Sequence, residues 1–135
     1  MAQLIDSSVF IALERRGQRL NDLAAAVPDV PLALASITAS ELLAGVHRAD
    51  SPERRLRREA FVEAILERVP VLPFELRTAR VHAQIWAHLM SGGRSIGAHD
   101  LLIAATALAH GYAVLTQNRR EFERVPGLVV RQPNW

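Results

Sequence analysis

Three carboxylate residues stand where a short apolar run gives way to a helical pattern, namely Asp6, Glu41 and Asp100. A fourth polar cluster, made of Thr116, Asn118 and Glu121, follows the apolar run at 113–115 in the same way. In an open α/β sheet the carboxyl ends of the strands form one edge, and ligand sites collect there. Carboxylate and amide oxygens brought together attract hard divalent cations, and through them phosphates. The pattern therefore predicts a divalent-metal site that binds phosphate groups.

Each acid taken alone also has a structural explanation. Asp6 would cap the helix that follows it, and the spacing of Thr38 and Glu41 is that of a capping box. Asp100 lies in the first turn of a helix, where the helix dipole favours negative charge. A cap contributes about 1 kcal/mol, which is enough to account for any single acid. Together, however, the carboxylates repel one another, and an unpaired carboxylate among apolar neighbours is unfavourable. A shared cation removes both problems, which favours the functional interpretation of the group.

The composition favours one globular domain over residues 1–135, because 50% hydrophobic content supports one core but the length does not support two. All 16 basic residues are arginine, so reactions that need lysine are excluded. The 14 acidic residues leave a net charge of +2, which does not establish a nucleic-acid role. Zero cysteine excludes disulfides and thiolate metal sites. No apolar stretch is long enough to span a membrane and the first residues do not resemble a signal peptide, so we expect a cytoplasmic protein.

Short apolar runs alternate with helical patterns along the chain. Strands are predicted at 3–5, 32–35, 70–73, 113–115 and 128–130, and helices after Asp6, at 20–27, at 42–48, after Ser51, at 75–90 and at 98–110. The last of these helices is apolar nearly all round, so it should lie inside the protein and end at Gly111. The alternation predicts an α/β fold with a mostly parallel sheet of about five strands and helices on both faces.

Four segments occur in a fixed order along the chain. They are Leu4-Ile5-Asp6-Ser7-Ser8, Ala39-Ser40-Glu41-Leu42, Ile96-Gly97-Ala98-His99-Asp100-Leu101-Leu102-Ile103-Ala104-Ala105-Thr106-Ala107 and Thr116-Gln117-Asn118-Arg119-Arg120-Glu121-Phe122. Together they resemble the signature of the PIN-domain family, and most closely that of the VapC ribonuclease toxins of bacterial toxin–antitoxin pairs. The third segment is the most specific of the four, and the resemblance spans the whole chain. It implies a three-layer α/β/α fold.

The resemblance implies that Asp6, Glu41 and Asp100 hold the metal and that Asn118 completes the catalytic set. Thr116 matches the hydroxyl residue of the fourth segment. Many members have the shorter aspartate where Glu121 stands. The resemblance therefore leaves three roles open for Glu121: contact with the metal directly, contact through water, or no contact. The implied activity is an endoribonuclease that uses Mg²⁺, with Mn²⁺ as a substitute, to activate water for in-line attack on phosphorus. One or two ions are both compatible with the sequence, and so are transfer, ribosomal and messenger RNA as targets.

The resemblance also implies an RNA substrate, a homodimer and a cognate VapB-type antitoxin whose tail occupies the acidic site. Arg119 and Arg120 adjoin the fourth segment and are predicted to meet RNA phosphates. His99 is predicted to have a supporting or surface role, because adjacent side chains on a helix point apart. Phe74 and Trp86 are predicted to be core or interface residues.

The arginine cluster at 54–58 is interpreted as a solvated helix face. The spacing of Glu53 and Arg57, and of Arg55 and Glu59, predicts ion pairs within one helix.

Three other functions match the pattern less well. A phospho-accepting receiver domain would need a second acid after the first strand and a lysine near the last. A phosphatase with an Asp-x-Asp nucleophile fails because residue 8 is serine. A non-catalytic RNA-binding module of PIN-like fold is the main alternative, since it explains the arginines although it leaves the clustered acids without a purpose.

Overall fold

The computed structural model describes residues 1–135 and contains one five-stranded sheet. The strands are β1 (Gln3–Ile5), β2 (Leu32–Ala35), β3 (Val71–Leu72), β4 (Ala113–Leu115) and β5 (Val130–Arg131). Their order across the sheet is β3-β2-β1-β4-β5, and every neighbouring pair is parallel. The predicted parallel sheet is confirmed, and all carboxyl ends of its strands meet at one edge.

Seven helices cover both faces of this sheet. They are α1 (Ser7–Arg15), α2 (Leu20–Ala26), α3 (Ser36–His47), α4 (Pro52–Arg68), α5 (Leu76–Ser91), α6 (Ala98–His110) and α7 (Arg119–Phe122). Successive residues of a strand point to opposite faces. Accordingly, Leu4 packs in a core with α5, α6 and α7, whereas Ile5 packs in a second core with the first four helices. The result is the predicted three-layer α/β/α architecture.

Helix α6 has the predicted bounds and lies inside the protein. Its buried residues are Leu101, Ile103, Ala104, Ala105, Thr106 and Ala107. The helix ends at Gly111, whose φ of 70° is in the left-handed region that glycine adopts without strain. The first turn of α6, which carries Asp100, is therefore attached to a rigid element.

Helix α3 begins earlier than predicted, and the capping box expected at Thr38 and Glu41 does not form. The helix starts at Ser36 with Ala35 as its N-cap, directly after β2. Thr38 is buried inside the helix together with Leu42 and Val46, at the spacing of four residues that places side chains on one helix face. Glu41 is therefore not needed to start the helix.

Other predictions were wrong in detail. The last strand begins at Val130 rather than Leu128, because a turn at Gly127 (φ 77°) precedes it. The expected arginine pairs are replaced by Arg54 with Asp50 (3.0 Å) and Arg58 with Glu14 (3.4 Å).

Two further features differ from or add to the sequence predictions. Helix α7 was not predicted at all. Phe74 and Trp86 are exposed rather than in the core. No helix in the structure combines the length and the apolar character needed to cross a membrane.

Candidate active site

Asp6 lies at the carboxyl end of β1 and is almost completely buried, with 2% of its surface exposed. It is the N-cap residue of α1, but its side chain caps no backbone N–H of that helix. Instead, its Oδ2 atom accepts hydrogen bonds from the hydroxyls of Ser8 (2.7 Å) and Thr116 (2.9 Å). Its Oδ1 atom accepts no hydrogen bond and its carboxylate pairs with no arginine. The structural explanation of Asp6 as a helix cap is therefore not supported.

Two hydroxyl groups join the first and fourth segments around Asp6. Thr116 follows β4, is fully buried, and accepts a hydrogen bond from the Asn118 backbone N–H (2.9 Å). Ser8 accepts from the Gln117 backbone N–H (3.0 Å), and its oxygen lies 3.3 Å from that of Thr116. Since β1 and β4 are neighbours in the sheet, this network fixes the Asp6 side chain. Ser8 was not among the site residues predicted from the sequence, although its position two residues after Asp6 was a usable signal.

Glu41 lies in the second turn of α3, which follows β2 on the other side of β1. Its Oε2 atom is 3.3 Å from Nδ1 of His99, the residue before Asp100. Its Oε1 atom is buried and has no hydrogen-bond partner in the protein. A buried oxygen of this kind is unfavourable unless another group neutralises it. The predicted supporting role of His99 thus has a specific contact, through Glu41.

Asp100 occupies the first turn of α6 and is half-buried. Burial raises the pKa of its carboxyl from 3.8 to about 6, with further increases from the negative charges of Asp6, Glu121 and Glu41 and a small opposing effect of His99. The structure therefore places Asp6, Glu41 and Glu121 within electrostatic range of Asp100. Mutual repulsion of this kind is relieved by a cation.

The remaining predicted residues belong to the fourth segment. Asn118 is exposed and its side chain caps no helix, so its amide is free. Glu121 has one oxygen 3.9 Å from Arg124. Arg119 is bonded to Glu123 (2.8 Å), whereas Arg120 is exposed and has no acidic partner. Neither arginine pairs with an acid of the site.

The chemistry of these residues fits a divalent cation. The donors are carboxylate oxygens, two of which (Oδ1 of Asp6 and Oε1 of Glu41) have no partner in the protein. As the side chains stand, no three acidic or histidine residues converge closely enough to enclose an ion. The acidic group is therefore an open cluster rather than a closed cage of carboxylates. Mg²⁺ does not require one, because it usually keeps several waters and binds one or two carboxylates.

A groove of about 450 Å³ is lined mainly by residues of α1, α3 and α4. Its lining includes Glu41 and His99 from the acidic group, the apolar residues Ile11 and Phe61, and Arg48. The site is thus open to a large ligand rather than enclosed.

The fold and this edge together define an α/β protein with an open acidic site suited to divalent cations. A family model described as the PIN domain matches residues 4–128. Ribonuclease VapC1 of Rickettsia felis is 36% identical over 133 residues, which cover 96% of this chain and 95% of that protein. The chain therefore belongs to the PIN-domain family, and within it to the VapC proteins.

Two further relatives agree with this assignment. The tRNA(fMet)-specific endonuclease VapC of Shigella flexneri is 38% identical over 104 residues, covering 77% of this chain and 75% of that protein. A crystal structure of DNA-bound VapBC from Salmonella typhimurium superimposes with a TM-score of 0.84 and 30% identity, covering 98% of both chains.

Proposed function

We propose that this protein is a metal-dependent endoribonuclease that hydrolyses RNA phosphodiester bonds and acts as the toxin of a VapBC-type toxin–antitoxin pair. Its relatives carry the names ribonuclease and endonuclease VapC. The observation that supports the site is the group of acids at the carboxyl edge of the sheet, where the pKa of Asp100 is raised and no arginine neutralises Asp6. The proposal treats residues 1–135 as one PIN-like domain.

The proposed metal ligands are Asp6, Glu41 and Asp100, with Mg²⁺ as the ion and Mn²⁺ as its substitute. A bound divalent ion supplies positive charge for the carboxylates and a Lewis acid for the phosphodiester and the attacking water. Ser8 and Thr116 hold Asp6 in one orientation through hydrogen bonds to its Oδ2 atom, which leaves Oδ1 available to an ion. Asp100 must be ionised to act, and its raised pKa makes this sensitive to pH.

Other residues of the fourth segment have proposed roles around the substrate. The exposed Asn118 amide can bond a phosphate oxygen or a water molecule, and Glu121 adds negative charge near Asp100. Arg120 has no acidic partner and is the better candidate for an RNA phosphate, because Arg119 is engaged by Glu123.

The proposed partners are a second copy of the chain and a cognate VapB-type antitoxin. Solved structures similar to this chain include VapBC and FitAB complexes, some bound to DNA. The groove beside Glu41 is open and partly apolar, which suits a protein segment that would block access to the acids. The proposed activity is cytoplasmic, where RNA and the antitoxin are present.

The test is cleavage of RNA by the purified chain with Mg²⁺, followed by sequencing of the RNA ends. Asp6→Asn and Asp100→Asn proteins should lose at least about 100-fold of the cleavage rate while still retaining RNA. Glu59→Gln is the matched control, because Glu59 is an exposed acid on α4 that belongs to none of the four segments and does not line the groove. Identical RNA ends from the Asp100→Asn protein would show that the site is wrong. RNA binding without any cleavage by the native chain would instead support a non-catalytic module.

A further inference from the structure

His99 makes a contact between the two helices that carry Glu41 and Asp100. Its Nδ1 atom lies 3.3 Å from Oε2 of Glu41, so the first turn of α6 is joined to α3 across 58 positions of the chain. An ionised carboxylate only accepts hydrogen bonds, so Nδ1 carries the hydrogen whether the imidazole ring is neutral or charged. The hydrogen bond from His99 to Glu41 therefore does not depend on the protonation state of the ring.

This contact contributes little to the stability of the fold. The side chain of His99 is 57% exposed and that of Glu41 is 29% exposed. Exposed pairs of this kind contribute about 0.2–1 kcal/mol, because water screens the charges and both side chains lose conformational freedom. The main consequence of the contact is therefore the orientation of the Glu41 carboxylate.

Glu41 has no other anchor for its carboxylate. It forms no ion pair with an arginine, and its Oε1 atom is buried without a hydrogen-bond partner. The side chain of a glutamate has several rotatable bonds, so an unanchored carboxylate samples many orientations. His99 thus determines which oxygen of Glu41 is engaged by the protein and which is left over.

Asp6 and Glu41 are held in the same manner. Ser8 and Thr116 donate hydrogen bonds to Oδ2 of Asp6 and leave Oδ1 without one. His99 likewise engages Oε2 of Glu41 and leaves Oε1 without a partner. Partners of this kind orient a ligand before the ion arrives, and their loss typically lowers metal affinity about 10–100-fold.

The position of His99 does not favour a role as a metal ligand. Its Nδ1 atom is engaged by Glu41, and no group of three acids or histidines encloses an ion. Mg²⁺ also binds oxygen ligands in preference to imidazole nitrogen. Any effect of His99 on the ion is therefore expected to be exerted through Glu41.

We propose that His99 is a positioning residue of the metal site, which holds Oε2 of Glu41 and so keeps Oε1 available to the ion. This inference rests on the proposed function, because it takes Glu41 as a metal ligand.

The first test is Mn²⁺ binding to the purified full chain without RNA, measured from the loss of the electron paramagnetic resonance signal of free Mn²⁺. His99→Ala should weaken binding about 10–100-fold. His99→Asn should restore most of the affinity, because its amide N–H can take the place of Nδ1–H. If the Asn variant is as weak as the Ala variant, the donated hydrogen bond is not the cause and the proposal is overturned.

Two controls separate positioning from a general loss of structure. His47→Ala removes an exposed histidine of α3 that does not line the groove, and it should bind Mn²⁺ as the native chain does. Urea unfolding with EDTA should give free energies of unfolding within about 1 kcal/mol of one another for the native chain and the His99 variants. A larger loss of stability in His99→Ala would mean that the contact supports the fold, and would overturn the proposal.

A double-mutant cycle tests whether His99 acts through Glu41. Glu41→Gln alone should weaken Mn²⁺ binding, and adding His99→Ala to it should cause no further loss. Equal losses from His99→Ala in the native and Glu41→Gln chains, or no loss in either, would overturn the positioning role while Glu41 remained a ligand. Unchanged binding by Glu41→Gln would instead remove Glu41 from the proposed ligands, and the positioning role with it.

Discussion

Replacing Asp100 by asparagine should stabilise the metal-free protein at neutral pH. The folded protein holds the Asp100 proton more tightly than the unfolded chain, because burial and three neighbouring carboxylates raise its pKa from 3.8 to about 6. The contribution to stability is fully present below pH 3.8 and is lost as the pH rises through about 6. Each pKa unit corresponds to about 1.4 kcal/mol, which gives about 3 kcal/mol as an upper bound. Solvent screening of a half-buried group reduces the expected gain to about 1–2 kcal/mol.

The measurement is urea unfolding with EDTA present, at several pH values between 4.5 and 8. The difference in the free energy of unfolding between Asp100→Asn and the native chain should grow with pH and level off above pH 7. Glu59→Gln removes an exposed acid and should give no such trend. Adding Mg²⁺ should make the native chain more stable than Asp100→Asn. A ligand at 100 times its dissociation constant stabilises the folded protein by about 2.7 kcal/mol, and the variant has lost an oxygen that would bind the ion. A difference that is flat with pH, or an Asn variant that is less stable without metal, would refute the reasoning.

Three other substitutions test the elements that position the site. Thr116→Val removes one of the two hydrogen bonds to Asp6, so we expect about 1–3 kcal/mol of destabilisation in urea unfolding and a lower rate of RNA cleavage. Thr116→Ser keeps the hydroxyl and should retain both the stability and the cleavage rate. Gly111→Ala should destabilise by about 1 kcal/mol or more in thermal unfolding, because φ is 70° there, and an unchanged melting temperature would contradict that conformation. Phe122→Ala should lower the free energy of unfolding by about 3–5 kcal/mol, because the ring is fully buried against α6. A loss below 1 kcal/mol would mean that Phe122 does not anchor α7.

The order of strands and helices could be predicted because each element carries its own local signal. The helix at 98–110 and the strands at 32–35 and 113–115 were located correctly, since periodicity, apolar runs and Gly111 act within a few residues. Local signals were misleading where tertiary contacts decided the outcome. The spacing of Thr38 and Glu41 predicted a capping box at the start of a helix. Thr38 is instead buried inside α3, which begins at Ser36. Trp86 was predicted to be a core or interface residue, and only the fold shows that it is not part of the core.

The sequence by itself determined the types of residue available for chemistry: acids after apolar runs, arginine without lysine, and no cysteine. Only the tertiary structure decided how those acids are held. The hydroxyls that fix Asp6 come from residues 8 and 116, and the histidine beside Glu41 comes from residue 99. Contacts between residues so far apart depend on which strands are neighbours in the sheet. Spacing along the chain does not specify those neighbours, because the sheet order β3-β2-β1-β4-β5 is set by packing of the whole core.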